Sequence, residues 1–351
     1  MPNMSEKEIL YFLESKDAND LIYLINKAGR VREKNIGNVV YARGLIEFSN
    51  ICSKDCFYCG LRRSNRKVNR YHLSKDEILL LANTAYKNGF HSIALQSGEI
   101  PTESEVDFLA DVIYEIKKTT SQNNDPGLGI TLSIGELTFS QYKKLYDAGA
   151  HRYLLRIETS NPDLFARMHP PEQSFQKRLE CLYALKEIGY QVGTGVMIGL
   201  PHQSYENLAC DLKFFLDFDI DMLGMGPYIP HPDTPLAQES KIKIDPYIST
   251  VKMISLARIL MPDINIVAST ALQTIHPEGL KMGLKAGANI VMPVLTPEER
   301  REDYSLYTGK KYTPFNDLFN QIQKAGFEIV LWKWGDPPHW YKRHNLTYIP
   351  K

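Results

Sequence analysis

The sequence predicts an α/β protein built as a TIM-type (β/α)8 barrel. Three observations carry this. A unit of amphipathic helix, glycine plus one residue, and short apolar strand recurs along the chain. Its strands are apolar on both faces, as parallel strands covered by helices are. Polar residues then interrupt the apolar pattern where strands end, which is where such a barrel carries its chemistry.

The recurring unit reads LANTAYKNGFHSIALQ around Gly89, YKKLYDAGAHRYLLR around Gly149 and LYALKEIGYQVGTGVMI around Gly189. It returns as LKMGLKAGANIVMP around Gly287 and FNQIQKAGFEIVLW around Gly326. Each glycine is expected to close its helix in the left-handed conformation. Filling the intervals gives strands near 41–48, 91–96, 128–133, 151–157, 191–198, 221–226, 264–267 and 289–292. Helices fall near 75–88, 104–118, 138–148, 175–188, 204–217, 246–260, 277–286 and 315–325. Strand–helix alternation implies a parallel sheet. Eight units suggest a closed barrel, although an incompletely closed one or a doubly wound sheet reads similarly. The short connections fit a single domain over 1–351, with a helical extension at 1–38, the barrel at 39–293, and the last helix and a C-terminal extension at 294–351. Ser5 and Glu8 form a capping box ahead of Ile9 and Leu10.

Composition narrows the function classes. The 351 residues are 43% hydrophobic and 23% charged, and 41 basic residues balance 41 acidic ones. Neither nucleic acid nor an anionic membrane is favoured as a partner. Five cysteines make no disulfide framework. The N-terminus lacks the basic start and apolar core of a signal peptide, and no run approaches the ~18 apolar residues of a membrane span. The expectation is a cytoplasmic protein in a reducing compartment.

Three of the five cysteines, Cys52, Cys56 and Cys59, fall in NICSKDCFYCGLRRSN, directly after the first strand. The spacing is C-x3-C-x2-C. Clustered thiolates suit zinc, Cu(I) or iron–sulfur. Zinc wants a fourth ligand; His72 is the nearest histidine downstream, and no second C-x2-C pair exists. A [4Fe–4S] cluster usually takes four cysteines. Three leave one iron open, and an open position beside a polar barrel mouth is a catalytic arrangement. The mouth is expected to hold QSGE at 96–99, SIGE at 133–136, RIETSN at 156–161 and STALQT at 269–274.

The segment CSKDCFYC, with Tyr58 before the last cysteine, resembles the motif of the radical S-adenosylmethionine (SAM) superfamily. The resemblance implies that the open iron chelates the amino and carboxylate groups of SAM. One electron from the reduced cluster then breaks the C5′–S bond, giving methionine and a 5′-deoxyadenosyl radical. Ser97, Gly98 and Glu99 match the "GGE" motif expected to hold the SAM amine, with serine for the first glycine. Gly195-x3-Gly199 resembles the segment that lets adenine approach backbone. Further blocks, among them CGLRRSN, MIGLP, GPYIPHPDTPLA (226–237) and GANIVMP, resemble the [FeFe]-hydrogenase maturase family HydE. Biotin synthase and methylornithine synthase share parts of these blocks less closely.

That family resemblance implies Ser133, Glu158 and Arg178 as SAM contacts, and an arginine fork on a carboxylate is physically apt. It implies Gln96, Arg156, Met225, Ser269, Thr270 and Met292 around a substrate cavity capped by Tyr304 or Tyr307. It implies a role in H-cluster assembly, on an iron–cysteine carbonyl/cyanide precursor received from another maturase, with ferredoxin or flavodoxin as electron donor. The rival readings are a radical SAM mutase of an amino acid, a biotin-synthase-like enzyme, or a non-enzymatic iron–sulfur carrier. Two departures stand out. Family members commonly read RHET where this chain has Arg156-Ile157-Glu158-Thr159. The segment TGKKYTPFNDLFNQIQ lacks the cysteines that hold a second cluster in some members, so one cluster is expected. Cys181 and Cys210 read as buried small hydrophobes on helices. The basic run Arg62, Arg63, Arg66, Lys67, Arg70 reads as a solvated loop or a dock for an acidic electron donor. The tail KWGDPPHWYKRHN is expected to cover the barrel's bottom.

Overall fold

The computed structural model describes residues 4–122, 125–239 and 242–347. Its strands are β1 (Val39–Ala42), β2 (Gly44–Ser49), β3 (Ser92–Ser97), β4 (Gly129–Ser133), β5 (Ala150–Leu154) and β6 (Gln191–Thr194). They continue as β7 (Met197–Ile198), β8 (Met222–Leu223), β9 (Gly226–Pro227), β10 (Asn265–Ile266), β11 (Ile290–Val291) and β12 (Glu328–Val330). Seven of these pair in parallel in the order β10-β8-β6-β5-β4-β3-β2.

The ring closes through β11. It pairs with β1, Tyr41 opposite Ile290, and parallel bridges join Val267 to Ile290 and Leu45 to Val294. The Arg43 N–H donates to the Val291 carbonyl at 2.9 Å and the Leu45 N–H to the Pro293 carbonyl at 2.8 Å. The first barrel strand is therefore β1 and β2 in succession, interrupted at Arg43. The stretches expected at 191–198 and 221–226 are likewise interrupted, as β6/β7 and β8/β9. β12, which adds to the free edge of β1, is the strand of the Gly326 unit and lies outside the eight barrel strands.

The helix-closing glycines behave as anticipated. Gly89, Gly149, Gly189, Gly287 and Gly326 all have φ between 88° and 119°. Helices Phe175–Ile188 and Pro246–Leu260 have the expected bounds, and Glu6–Glu14 carries the Ser5/Glu8 capping box. Short helices Pro162–Met168 and Thr270–Ile275 lie in loops after strands and were not anticipated.

Period-2 alternation assigns the strand faces. On β5 and its extension, Tyr153, Leu155 and Ile157 join the core packed under the helices. Arg152, Leu154, Arg156 and Glu158 alternate with them, on the barrel's inner face. The barrel's lower end is closed by the C-terminal segment. Arg152 is buried there, bonded to Asp336 Oδ1 at 2.5 Å, the Trp334 carbonyl at 3.0 Å and Ser92 Oγ at 2.6 Å. Arg43 and Asn265 both donate to the Gly335 carbonyl, at 3.1 and 2.7 Å. These contacts place the tail over the bottom. Cys181 is buried as expected, but Cys210 is exposed: it lies on the outer side of helix Tyr205–Phe218, whose inner face is Leu208, Asp211, Leu212 and Phe215. No described helix is long and apolar enough to cross a membrane.

Candidate active site

Cys52, Cys56 and Cys59 line a cavity of about 270 Å³ at the C-terminal ends of the strands. The loop that carries them has little regular structure, so its shape comes from specific anchors. Arg70 threads through it, donating to the carbonyls of Asn50, Leu61, Arg62 and Asn65. Arg62 forks onto Asp55 at 2.8 and 2.7 Å, which holds the Asp55 carboxyl well below the usual carboxylate range. Lys67 pairs with Asp233. Arg62 and Arg70 are therefore internal stitching, and Arg63, Arg66 and Lys67 remain exposed.

Gly98 explains its own identity. A Cβ there would sit 2.2 Å from the Ile51 carbonyl oxygen and 2.8 Å from Cys52 Cβ. Only glycine lets the end of β3 pass this close to the cysteine loop. Two backbone bonds join the pieces: Ser53 N–H to the Glu99 carbonyl at 2.8 Å, and Glu99 N–H to Cys52 Sγ at 3.4 Å.

Beneath the loop lies a buried charge network. Lys54 Nζ is 3.1 Å from Glu99 Oε1 and 2.9 Å from Glu136 Oε2. The other Glu136 oxygen takes Arg178 Nε at 2.6 Å. Burial raises the Glu136 carboxyl, but Arg178 and Lys54 outweigh it and hold the pKa below its ordinary value. Burial and the neighbouring Glu136 charge push the Glu99 carboxyl up, against Lys54 and the Glu136 N–H that donates to it at 2.8 Å. Arg178, expected to contact SAM, is thus fixed from behind; it also donates to the Arg156 carbonyl.

Glu158 sits at φ 65°, a conformation that costs a non-glycine residue energy and that clusters at functional sites. Its carboxylate is 3.0 Å from Arg156 Nη2. Neither Glu158 Oε2 nor Arg156 Nε and Nη2 has a well-formed hydrogen bond among the described residues, and the same holds for Ser269 Oγ and Tyr228 Oη. All four residues line the cavity. Buried polar atoms without a hydrogen bond are rare in folded proteins, so their convergence marks a place for a polar ligand. Burial pushes the Glu158 carboxyl up despite both arginines.

A model of the radical SAM superfamily matches residues 46–215. Over 287 residues, 82% of this chain and 79% of the relative, the sequence is 47% identical to the [FeFe] hydrogenase maturase subunit HydE of Thermotoga maritima. The chain belongs to the HydE family of radical SAM enzymes. This HydE-family chain is also 30% identical over 334 residues to the 3-methylornithine synthase of Methanosarcina acetivorans, covering 92% of this chain and 91% of the relative. Its backbone matches the crystal structure of methylornithine synthase (PylB) with a TM-score of 0.80 at 25% identity, over 93% of this chain and 94% of the other.

Radical SAM enzymes use a [4Fe–4S] cluster and SAM, and the HydE-family site fits both. Among the described residues no three His, Cys, Asp or Glu side chains converge on a single metal ion, and His72 is tied to Glu105 at 2.8 Å rather than to the cysteines. That disfavours a mononuclear zinc site. A cluster takes one thiolate per iron, so its sulfurs stand further apart. Burial pushes all three thiols up, Cys56 to about 11, and coordination deprotonates them outright. The Arg156–Glu158 ion pair, which carries no well-formed hydrogen bond, and the Ser269 and Tyr228 hydroxyls suit a ligand as polar as SAM.

The other anticipated residues divide. Tyr58, Gln96, Ser97, Gly98, Glu99, Ser133, Arg178, Tyr304 and Tyr307 line the same cavity. Gly195, Gly199, Met225, Thr270 and Met292 do not. A Cβ on Gly195 would strike the Gly224 carbonyl oxygen at 2.0 Å, and one on Gly199 would meet Pro246 at 2.7 Å; both are packing glycines, and their segment reaches the cavity through Met197 instead. Met225 is buried in the core under the helices. Thr270 and Met292 face a separate small cavity beside Leu318. Ile157 also faces the core, with its N–H on Thr194 Oγ1 at 3.0 Å, so the departure from RHET leaves the cavity wall untouched. Sequence reasoning gave no role to Lys54, Glu136, His169, Gln173, Tyr228 or Leu306. Of these, Glu136 was within sight, as the last residue of SIGE.

Proposed function

We propose that this enzyme acts in assembling the two-iron part of an [FeFe]-hydrogenase H-cluster, on an iron–cysteine carbonyl/cyanide precursor supplied by another maturase. The observation that carries the reading is the 47% identity to HydE over 82% of the chain. Cys52, Cys56 and Cys59, which line the cavity, would hold the cluster and leave one iron without a protein ligand. The backbone at Ser97–Glu99 receives the SAM amine. Ser133, Glu158 and Arg178 bind its remaining polar groups. When bound, the cluster and SAM supply one-electron cleavage of the sulfonium and a 5′-deoxyadenosyl radical.

The protein's share is binding, orientation and exclusion of water. Tyr58 is oriented by the neutral His169 ring, whose pKa is pushed down to about 3 by burial and the Arg178 charge. His169 Nδ1 donates to the Phe165 carbonyl at 2.9 Å, which leaves Nε2 to accept from the Tyr58 hydroxyl at 3.3 Å. Arg156, on the inner face of the strand, offers a carboxylate site to the cysteine part of the precursor. Tyr304, Leu306 and Tyr307 come from a strap over the mouth. It is held by Gly60 N–H on the Leu306 carbonyl at 2.9 Å and by the buried pair Lys310–Glu47. An acidic ferredoxin or flavodoxin in the cytoplasm delivers the electron on the Arg63 and Arg66 side.

The test is complementation. In a host with an [FeFe]-hydrogenase and its other maturases but no HydE, this chain restores hydrogenase activity and its Cys56→Ala variant does not. A second reading, an amino-acid mutase, is favoured by the near full-length match to methylornithine synthase. A SAM-cleaving chain that leaves the hydrogenase inactive but forms 3-methylornithine would replace the first reading by the second.

A further inference from the structure

We infer that Gln173 sets the reduction potential of the cluster through a hydrogen bond to the Cys56 sulfur. Gln173 lies in the turn before helix Phe175–Ile188, its N–H on the Pro170 carbonyl at 2.9 Å. Its side chain is buried beneath the cysteine loop, 117 positions away in sequence. Gln173 Nε2 donates to Cys56 Sγ at 3.3 Å. The orientation of the amide follows from its other end: Asp55 N–H donates to Gln173 Oε1 at 3.3 Å, a bond only the oxygen can accept. Both amide atoms lie near the sulfur, Nε2 at 3.3 Å and Oε1 at 3.6 Å, but a deprotonated ligand sulfur can only accept, so Nε2 is the partner it takes. The Tyr58 hydroxyl also reaches toward this thiol, but it is committed to His169.

The consequence is electrostatic. Reduction adds negative charge to the cluster, part of it on the ligand sulfurs. A buried N–H aimed at one of them stabilises the reduced form more than the oxidised form, and hydrogen bonds to cluster sulfurs are among the levers that set iron–sulfur potentials. Low local dielectric strengthens the effect. Since the cluster must be reduced before SAM is cleaved, Gln173 governs the fraction of enzyme poised to react at a given donor potential. It is a tuning residue and touches neither SAM nor substrate.

This rests on Cys56 being a cluster ligand, and the experiment separates the two claims. Wild type, Gln173→Leu and Gln173→Glu are reconstituted anaerobically and assayed for iron. The midpoint is then read by EPR-monitored titration of the reduced cluster. Gln173→Leu, with four irons, is expected to shift to lower potential, so that several-fold less cluster is reduced at the wild-type midpoint; tenfold in that equilibrium is 59 mV for one electron. Gln173→Glu keeps the acceptor for Asp55 N–H and replaces only the donor, and is expected to fall further. Gln176→Leu, on the exposed side of the helix that follows, leaves the midpoint unmoved. Fully loaded Gln173 variants with the wild-type midpoint would overturn the inference. Should Gln173→Leu fail to hold four irons, Gln173→Glu decides by the same two outcomes. A wild-type chain that binds no cluster would instead sink the ligand assignment.

Discussion

Glu136 shows how much at this site depends on one carboxylate. It receives Lys54 from the cysteine loop and Arg178 from helix Phe175–Ile188, and so ties the cysteine loop to the arginine proposed to bind SAM. Removing its charge leaves two buried cations with one remaining partner, Glu99. Breaking a buried pair typically costs about 3–5 kcal/mol. Glu136→Gln is therefore expected to lower the melting temperature and to weaken SAM binding about tenfold or more, ~1.4 kcal/mol. Titration of the reconstituted protein with SAM checks this, and undiminished affinity would show that Arg178 does not need its partner. The three cysteines were legible in the sequence because the chemistry requires them close together in the chain. Glu99 and Glu136 were not legible as a pair, because the fold, not the spacing, brings both to Lys54. Gly195 and Met225 lie off the cavity, in keeping with the packing role such residues ordinarily have: motif likeness picks out a segment, but strand alternation decides which of its residues faces the cavity.

At the scale of elements, the short C-terminal helix Pro338–Arg343 docks by charge. His339 Nε2 lies 2.7 Å from Asp219 and Nδ1 lies 3.2 Å from Asp263. Lys342 and Arg343 pair with Asp263 and Asp221, both at 2.7 Å. Burial would push the imidazole pKa down, but the two carboxylates outweigh it and raise it, while Asp263 is pulled down to about 2. A histidine whose folded pKa is raised contributes stability fully below its unfolded value of about 6.5 and loses it as pH rises through the folded value. The melting-temperature difference between wild type and His339→Gln is therefore expected to be largest near pH 6 and to shrink toward pH 9. An equal difference at both would show that the histidine acts only by packing. The sequence revealed this tail as a cover. It gave no sign that Arg43 and Arg152 are buried against the Gly335 carbonyl and Asp336.

The whole molecule is a parallel ring with opposite ends put to different uses. The lower end is plugged by the chain's own tail. The upper end holds a cavity in which three cysteines and a strained Glu158, ion-paired with Arg156, meet. The repeating helix–glycine–strand unit made this ring legible. The closing seam was not, because it depends on Leu45–Val294 and Val267–Ile290 pairings between segments with no local signal for each other. The account stands on the cavity being a site where a cluster cleaves SAM. Anaerobic reconstitution followed by dithionite and SAM tests that most directly. The account predicts four irons per chain and equal amounts of 5′-deoxyadenosine and methionine, both lost in Cys56→Ala. A chain that holds four irons, accepts an electron and leaves SAM intact would contradict it.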